Sequence, residues 1–183
     1  MVGATTPVPG VPECFDLAEG TLPPSAVDAG VLTVDGIVGG PVTLLQGLFG
    51  EYSQIVADLY FAPFSPISID ISGSASFAPL SGTVATPHPV VPGMVETIPA
   101  GTQVTWLAGN GDYIRLRFLT PSGVRGCDVA DDGAFVIPSE VTDPWPGPGS
   151  LIRVMRIIET EVDSPSTPAD SLRIRVVRDA DLF

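Results

Sequence analysis

The stretches Ile114–Phe118 (IRLRF) and Leu172–Val176 (LRIRV) decide the fold class of this chain. In both, apolar residues alternate with Arg, so an extended segment would have one apolar face and one cationic face. This alternation indicates β-strands that pack one face against a core. The chain has no Lys, and its eight basic residues all lie beyond residue 114: Arg115, Arg117, Arg125, Arg153, Arg156, Arg173, Arg175 and Arg178. We therefore predict an antiparallel sheet late in the chain.

Composition supports strands in the rest of the chain as well. The 183 residues suffice for one domain with a buried core. The 20 Gly and 20 Pro residues, together with plentiful Val, Thr and Ser, favour short strands and turns over helices. We predict an all-β fold: an antiparallel β-sandwich, immunoglobulin-like or jelly-roll-like, with about eight or nine strands.

The distribution of Pro and Gly suggests the domain organisation. We expect residues 1–26 to form a Pro-rich arm or linker, and residues 27–183 to form a single β-sandwich domain. Residues 43–61 fit two structures. Their apolar side chains follow a helical stripe, but Gly47 and Gly50 weaken a helix by about 1 kcal/mol each. Because the remaining pattern is β, we favour two strands there.

Turn dipeptides organise residues 102–137. Asn110-Gly111 supplies the two left-handed positions of a tight hairpin turn, and Asp132-Gly133 marks a second turn. With a turn at residues 121–123, these signals predict four antiparallel strands in a meander.

A final hairpin is expected from residues 150–161 and 170–178. If Glu161 faces Arg173, then Glu159 faces Arg175, which gives two cross-strand ion pairs on an outer face. The same register places Arg156 opposite Arg178. That is unfavourable unless Asp179 or Asp181 lies between them, or a bulge near Met155 relieves it.

Charge limits the classes of partner. The net charge is −13, and residues 1–114 carry ten acids and no base. Nucleic acid and anionic membranes are therefore poor partners. No transmembrane segment is expected, because the uncharged run of residues 71–95 contains four Pro. An Arg-bearing strip beside an acidic first half predicts head-to-tail contact between copies, and hence a homo-oligomer; another surface protein is an alternative partner.

The two cysteines, Cys14 and Cys127, allow two interpretations. They are either free thiols or a disulfide that closes a loop of about 110 residues, worth about 3–5 kcal/mol in the chain-entropy model. We predict the disulfide. The first residues carry no export signal, so the chain begins either after a removed signal or at a cytosolic start.

The run from Asp128 to Gly133 is the candidate metal site. It is not an EF-hand, because Ala130 and Ser139 stand where that loop needs oxygen ligands. A looser calcium site could use Asp131 and Asp132, with Asp128 as a third ligand. The alternative is a simple Asp-Gly turn. No other cofactor is predicted.

Two further residues carry candidate chemistry. His88 is the single histidine of the chain, so it cannot form a zinc-binding His cluster, and we expect it on an exposed loop. Trp145 lies in a Pro-rich loop, where it could stack on a sugar or anchor a protein partner, or could fold back as a lid. A carboxylate hydrolase at Asp131 and Asp132 is less favoured, because adjacent strand residues point to opposite faces.

Several short motifs resemble a known group of proteins. These are Gln103–Trp106 (QVTW), Tyr113–Arg117 (YIRLR), the Cys-x-x-x-Asp-Asp-Gly-x-Phe-x-Ile-Pro run of residues 127–138, and Ile71–Phe77 (ISGSASF). Over residues 31–178 the chain resembles exported β-rich proteins of unassigned function from myxobacteria and similar bacteria. The resemblance implies export and a β-sandwich, and it brings no catalytic residues.

These observations lead to a functional expectation. We expect a non-catalytic structural or binding module that is secreted, periplasmic or at the cell surface, with self-assembly as one mode of action. The alternatives are a carbohydrate-binding module that uses Trp145 and a hydrolase with a carboxylate site.

Overall fold

The computed structural model describes residues 13–16, 28–44, 60–61, 65–93, 101–120, 123–142, 151–163 and 171–182. Its elements in chain order are β1 (Glu13–Asp16), β2 (Leu32–Asp35), β3 (Ile37–Val38), β4 (Val42–Leu44), β5 (Tyr60–Phe61), β6 (Pro66–Ile71), β7 (Leu80–Ala85), β8 (Gln103–Thr105), β9 (Tyr113–Thr120), β10 (Gly123–Val129), β11 (Ala134–Val136), α1 (Ser139–Thr142), β12 (Leu151–Asp163) and β13 (Ser171–Leu182). The predicted all-β antiparallel sandwich is confirmed. Within these ranges the strands outnumber the predicted eight or nine, because several span only two to four residues.

The strands form four sheets. Their strand orders are β1-β10-β9-β12-β13, β11-β8, β4-β2-β6-β7 and β3-β5. The described residues divide into two compact units. The first draws on Met1–Gly20, Pro87–Ile158 and Val177–Phe183, and the second on Thr21–Thr86 and Glu159–Val176. In the described ranges no helix is long and apolar enough to cross a membrane.

The core of the first unit is built around the alternating apolar residues of Ile114–Phe118. Ile114, Leu116 and Phe118 of β9 are fully buried. Their strand partners continue the same face, because Leu116 lies opposite both Cys127 of β10 and Val154 of β12. The core comprises Val104, Trp106, Ile114, Leu116, Phe118, Cys127, Val129, Phe135, Ile137, Val141, Ile152 and Val154. Burial of each large apolar side chain stabilises the fold by about 1.5–3 kcal/mol.

The predicted meander over residues 102–137 is confirmed for β9 and β10, which pair with each other, and is wrong for β8 and β11. β8 pairs with β11, and β9 pairs with β10 and β12. Asn110-Gly111 is therefore no hairpin turn, and the backbone of Gly111 is not left-handed. The Asp132-Gly133 turn does form, with Gly133 at a φ of 103°, but it joins strands of two different sheets.

The second unit contains a four-stranded sheet with one apolar and one polar face. In β6, Ile67 and Ile71 are buried, whereas Asp70 is exposed. Gly82 of β7 lies on the apolar face, where an added Cβ would come 2.6 Å from Cγ2 of Val162. The absent side chain thus lets the sheet pack closely against β12, which gives this unit its two-layer packing.

Two ion pairs of the final hairpin fit the predicted register. Arg175 donates a short hydrogen bond to Glu159, as expected. Arg153 pairs with Asp181, which fits the same antiparallel register because Arg153 lies six residues before Glu159 and Asp181 six residues after Arg175. The expected compensation of Arg156 is wrong: its partner is Asp131, not Asp179 or Asp181. The predicted partner Arg173 has its side chain outside the described part of the structure.

Two predictions about segments of the chain are tested only in part. Val42–Leu44 and Tyr60–Phe61 are strands, and residues 45–59 lie outside the described ranges. Within the expected arm of residues 1–26, Glu13–Asp16 forms β1 and pairs with β10. The boundaries of the arm and of a single domain over residues 27–183 stay predictions.

Candidate functional site

The most deeply buried charged group in the described structure is Arg156 on β12. Its side chain is 1% exposed, and that of its partner Asp131 is 3% exposed. The guanidinium donates to both carboxylate oxygens of Asp131, through Nε at 2.7 Å and Nη2 at 3.0 Å. It also donates to the backbone carbonyls of His88, Pro89 and Leu107. These five bonds use all five N–H groups of the guanidinium.

Both carboxylate oxygens of Asp131 also accept several hydrogen bonds. Besides Arg156, it accepts hydrogen bonds from Trp106 Nε1 at 3.0 Å and from the Gly111 amide at 2.8 Å. Glycine is required beside this pair, since a Cβ on Gly109 would lie 2.5 Å from the guanidinium carbon of Arg156. Asp131 therefore holds the core together and has no free oxygen to offer as a catalyst.

A second carboxylate of the predicted metal site is also held by an arginine. Asp128 is 4% exposed and accepts two hydrogen bonds from Arg115, each of 2.7 Å. The same guanidinium lies over the rings of Phe15 and Tyr113, at 5.3 and 5.6 Å from their centroids. Such a bidentate, stacked arrangement is one that Arg favours in partly buried sites.

The three predicted calcium ligands thus have different surroundings. Asp128 and Asp131 each neutralise an arginine, whereas Asp132 is exposed and accepts a hydrogen bond from the Ala134 amide, as in an Asp-Gly turn. In the described ranges no three acidic, Cys or His side chains are grouped as a metal site would need. Calcium binding stays a prediction.

Cys14 and Cys127 form a disulfide, as predicted. They lie opposite each other on β1 and β10, with their Cα atoms 4.0 Å apart and a sequence separation of 113. The bond fastens the edge strand β1 to the core, because Cys127 is fully buried.

The two other candidate residues have different outcomes. His88 is half-buried and not on an exposed loop, as its amide donates to Asn110 and its carbonyl accepts from Arg156. That earlier expectation is wrong because the buried guanidinium holds this loop against the first unit. Trp145 lies outside the described residues, so a sugar-binding role for it stays a prediction.

A surface cavity in the second unit brings together residues that the sequence did not connect. Its volume is about 360 Å³, and it lies where β6 ends, β7 begins and β12 ends. Its polar lining residues are Asp70, Ser81 and Asp163. Its apolar lining comprises Ile71, Pro79, Leu80 and Val162. Ile71 and Leu80 are buried on the apolar face of the sheet, whereas their strand neighbours Asp70 and Ser81 are exposed on its other face.

The loop that carries Pro79 is fixed by short backbone contacts. Gly73 has a left-handed φ of 79°, and an added Cβ would come 2.7 Å from the nitrogen of Pro79. The Ser72 amide donates to the Val31 carbonyl, and Ser74 Oγ donates to the Asp28 carbonyl. One wall of the cavity is therefore held in place before any ligand binds.

No family model matches this chain, and neither does any curated protein. The resemblance to exported myxobacterial proteins accordingly stays a prediction. The cavity of the second unit is a concave feature with polar residues in its lining, which is the usual form of a ligand site.

Sequence reasoning missed this cavity because its two carboxylates are 93 residues apart. The alternation of Ile67, Ile69 and Ile71 does place Asp70 on the outer face of a strand. However, no local pattern shows that the end of β6 lies beside the end of β12. That proximity comes from sheet packing through Gly82, which composition and periodicity do not reveal.

Proposed function

We propose that this protein is an exported, non-catalytic binding or structural module that acts outside the cytoplasm or at the cell surface. The observation that carries the proposal is the Cys14–Cys127 disulfide. Disulfides form and persist in oxidising compartments and are rare in the reducing cytosol. The acidic composition adds solubility outside the cell and disfavours adhesion to polyanions.

The occupied carboxylates support a role without catalysis. A general acid or base needs a carboxylate that can exchange a proton with a substrate. Asp128 and Asp131 are instead each bound to an arginine and almost fully buried. Asp128 and Asp131, two of the three acids that the sequence analysis singled out, therefore stabilise the fold.

Fractionation of the source cells tests the proposal. Antibody detection should find the protein in the extracytoplasmic fraction, and mass spectrometry without reduction should find the peptides of Cys14 and Cys127 linked. A cytosolic protein with two free thiols would overturn it. Thiols must be blocked with an alkylating agent during lysis, so that a bond formed after lysis is not counted.

Self-association is the specific mode that the first unit supports. Val91 and Leu107 are 57% and 68% exposed and are joined by a backbone hydrogen bond. Burying these two uncharged side chains between copies would favour association of two acidic molecules. Light scattering should show a concentration-dependent dimer, and Leu107→Glu should abolish it. A strictly monomeric wild type at all concentrations and salt conditions would contradict self-association.

A carboxylate hydrolase is the second candidate, because a cavity lined by two acids is what glycoside hydrolysis requires. Asp70 and Asp163 line such a cavity. A panel of glycosides and esters separates the candidates. Turnover that both Asp70→Asn and Asp163→Asn abolish would replace the binding role with an enzyme. We expect no turnover.

A further inference from the structure

We propose that Asn110-Gly111 is a deamidation site that the fold protects, and that loss of the buried pair of Arg156 and Asp131 exposes it to reaction. Asn110 is the single asparagine of the chain, and it is exposed. Asparagine is a chemically labile residue, and a following glycine hinders attack on its side chain least, because glycine has no Cβ. This modification is separate from the proposed binding or structural role and does not depend on where the protein acts.

The reaction needs only the chain and water. The backbone nitrogen of Gly111 attacks Cγ of Asn110, and the new C–N bond closes a succinimide ring. The proton of the Gly111 amide passes to the side-chain nitrogen of Asn110, which leaves as ammonia. Water then opens the ring at either carbonyl group and gives aspartate or isoaspartate in place of the asparagine. Attack therefore requires a Gly111 amide that can lose its proton.

The buried pair is the reason that a glycine follows Asn110. A Cβ on Gly111 would lie 2.7 Å from Cγ of Arg156 and 2.9 Å from Oδ2 of Asp131. The backbone of Gly111 is not left-handed, so lack of space, and not conformation, excludes a side chain there. The packing of Arg156 thus places a reactive dipeptide at the surface, where only the folded structure can protect it.

Both reacting groups are held by other partners in the folded chain. The Gly111 amide donates to Oδ2 of Asp131 at 2.8 Å, and Oδ1 of Asn110 accepts from the His88 amide at 2.7 Å. The carboxylate keeps the proton on the Gly111 nitrogen, because one negative charge disfavours a second beside it. The bond to His88 ties the Asn110 side chain to a loop whose carbonyl accepts from Arg156. Protection of both groups therefore depends on the same buried pair.

Mass spectrometry of the full chain tests the proposal, with folded and urea-unfolded protein incubated at the same pH and temperature. Chymotrypsin cleavage after Leu107 and after Tyr113 isolates the Asn110 peptide, and chromatography separates its aspartate and isoaspartate forms. We expect deamidation to be at least about 10-fold slower in the folded protein, because reaction there needs local opening. Equal rates would show that the fold gives no protection and would overturn the proposal.

Two variants separate local opening from general instability. Asp131→Asn removes the charge that faces the Gly111 amide. It should speed deamidation of the folded protein about 10-fold, as expected when a hydrogen bond to a charged group is weakened. Asp128→Asn is the matched control, because Asp128 is also a buried carboxylate bound to an arginine, but its partner is Arg115. This control should deamidate at the wild-type rate.

Equal acceleration in both variants would assign the protection to overall stability and contradict the proposal. Slower deamidation in folded Asp131→Asn would also contradict it, because the carboxylate would then act as a base. Near-UV circular dichroism shows whether each variant is folded. If Asp131→Asn does not fold, hydrogen exchange of the wild type in low urea decides the question. Deamidation should then rise together with exchange of the Gly111 amide, and a rise only with exchange of Leu116 in the core strand β9 would contradict local opening.

Discussion

At the scale of single residues, arginine decides where this fold tolerates buried charge. Arg156 and Asp131 are both nearly inaccessible, yet every N–H group of the guanidinium has an acceptor. A buried pair of this kind is costly to break, because the remaining partner becomes an uncompensated charge. The outer pair of Arg175 and Glu159 differs, since Arg175 is 42% exposed and water can replace its partner.

Asp131→Asn should therefore lower the free energy of unfolding by about 3–5 kcal/mol. The substitution keeps the size of the side chain and removes only its charge. Urea denaturation measures the effect, with Glu159→Gln as the control at less than about 1 kcal/mol. Equal losses for the two variants would show that the burial of Arg156 contributes nothing specific.

Asp181 provides a test by pH. The hydrogen bond from Arg153 lowers the pKa of this carboxyl below its ordinary value, and the nearby positive charge acts in the same direction. Because the folded pKa is lowered, the pair stabilises the fold above the ordinary carboxyl pKa of about 4 and loses this effect as pH falls through the folded pKa. Carbon NMR of the carboxyl should show the pKa rising in Arg153→Gln. An unchanged pKa would contradict this pairing.

At the scale of elements, β1 depends on a covalent bond. It is four residues long and lies at the edge of its sheet. Removing the disulfide with Cys14→Ala and Cys127→Ala together should cost about 3–5 kcal/mol, because the bond closes a loop of more than a hundred residues. Hydrogen exchange should then accelerate at β1 more than at β9. Unchanged exchange in β1 would contradict the anchoring role.

The loop before β7 offers a matched pair of glycines. Gly73 and Gly101 both have a φ of 79°, but a Cβ would meet Pro79 only at Gly73, and nothing lies within 4 Å at Gly101. Gly73→Ala should thus cost about 1–3 kcal/mol more than Gly101→Ala, the usual penalty for overpacking. Thermal denaturation measures both. Equal costs would show that the loop yields freely at the cavity wall.

Strand existence was largely predictable from sequence, and strand pairing was not. Alternation at Ile114–Phe118 identified a strand and its buried face, since side-chain direction is a local property. Asn110-Gly111 suggested a hairpin because its local preference is strong. The buried guanidinium of Arg156, which needs the space beside Gly109 and Gly111, imposed another conformation. Contacts between residues that are far apart in sequence produce no local sequence pattern, so they could not be predicted from the sequence.

At the scale of the whole molecule, the charged residues have two separate effects. Arginine balances acids inside the described sheets, and the excess acid makes the chain strongly negative. The disulfide was predictable because two cysteines allow one intramolecular pairing. The cavity was not, because its carboxylates come from distant strands that meet only through packing. The central claim is that a disulfide and buried arginine–aspartate pairs hold together a module that we propose acts outside the cytoplasm.

Mass spectrometry without reduction, on protein from fractionated cells whose thiols were alkylated during lysis, tests this claim most directly. Our account predicts that the peptides of Cys14 and Cys127 are linked and that the protein is found in the extracytoplasmic fraction. A cytosolic protein with two alkylated cysteines would contradict the account.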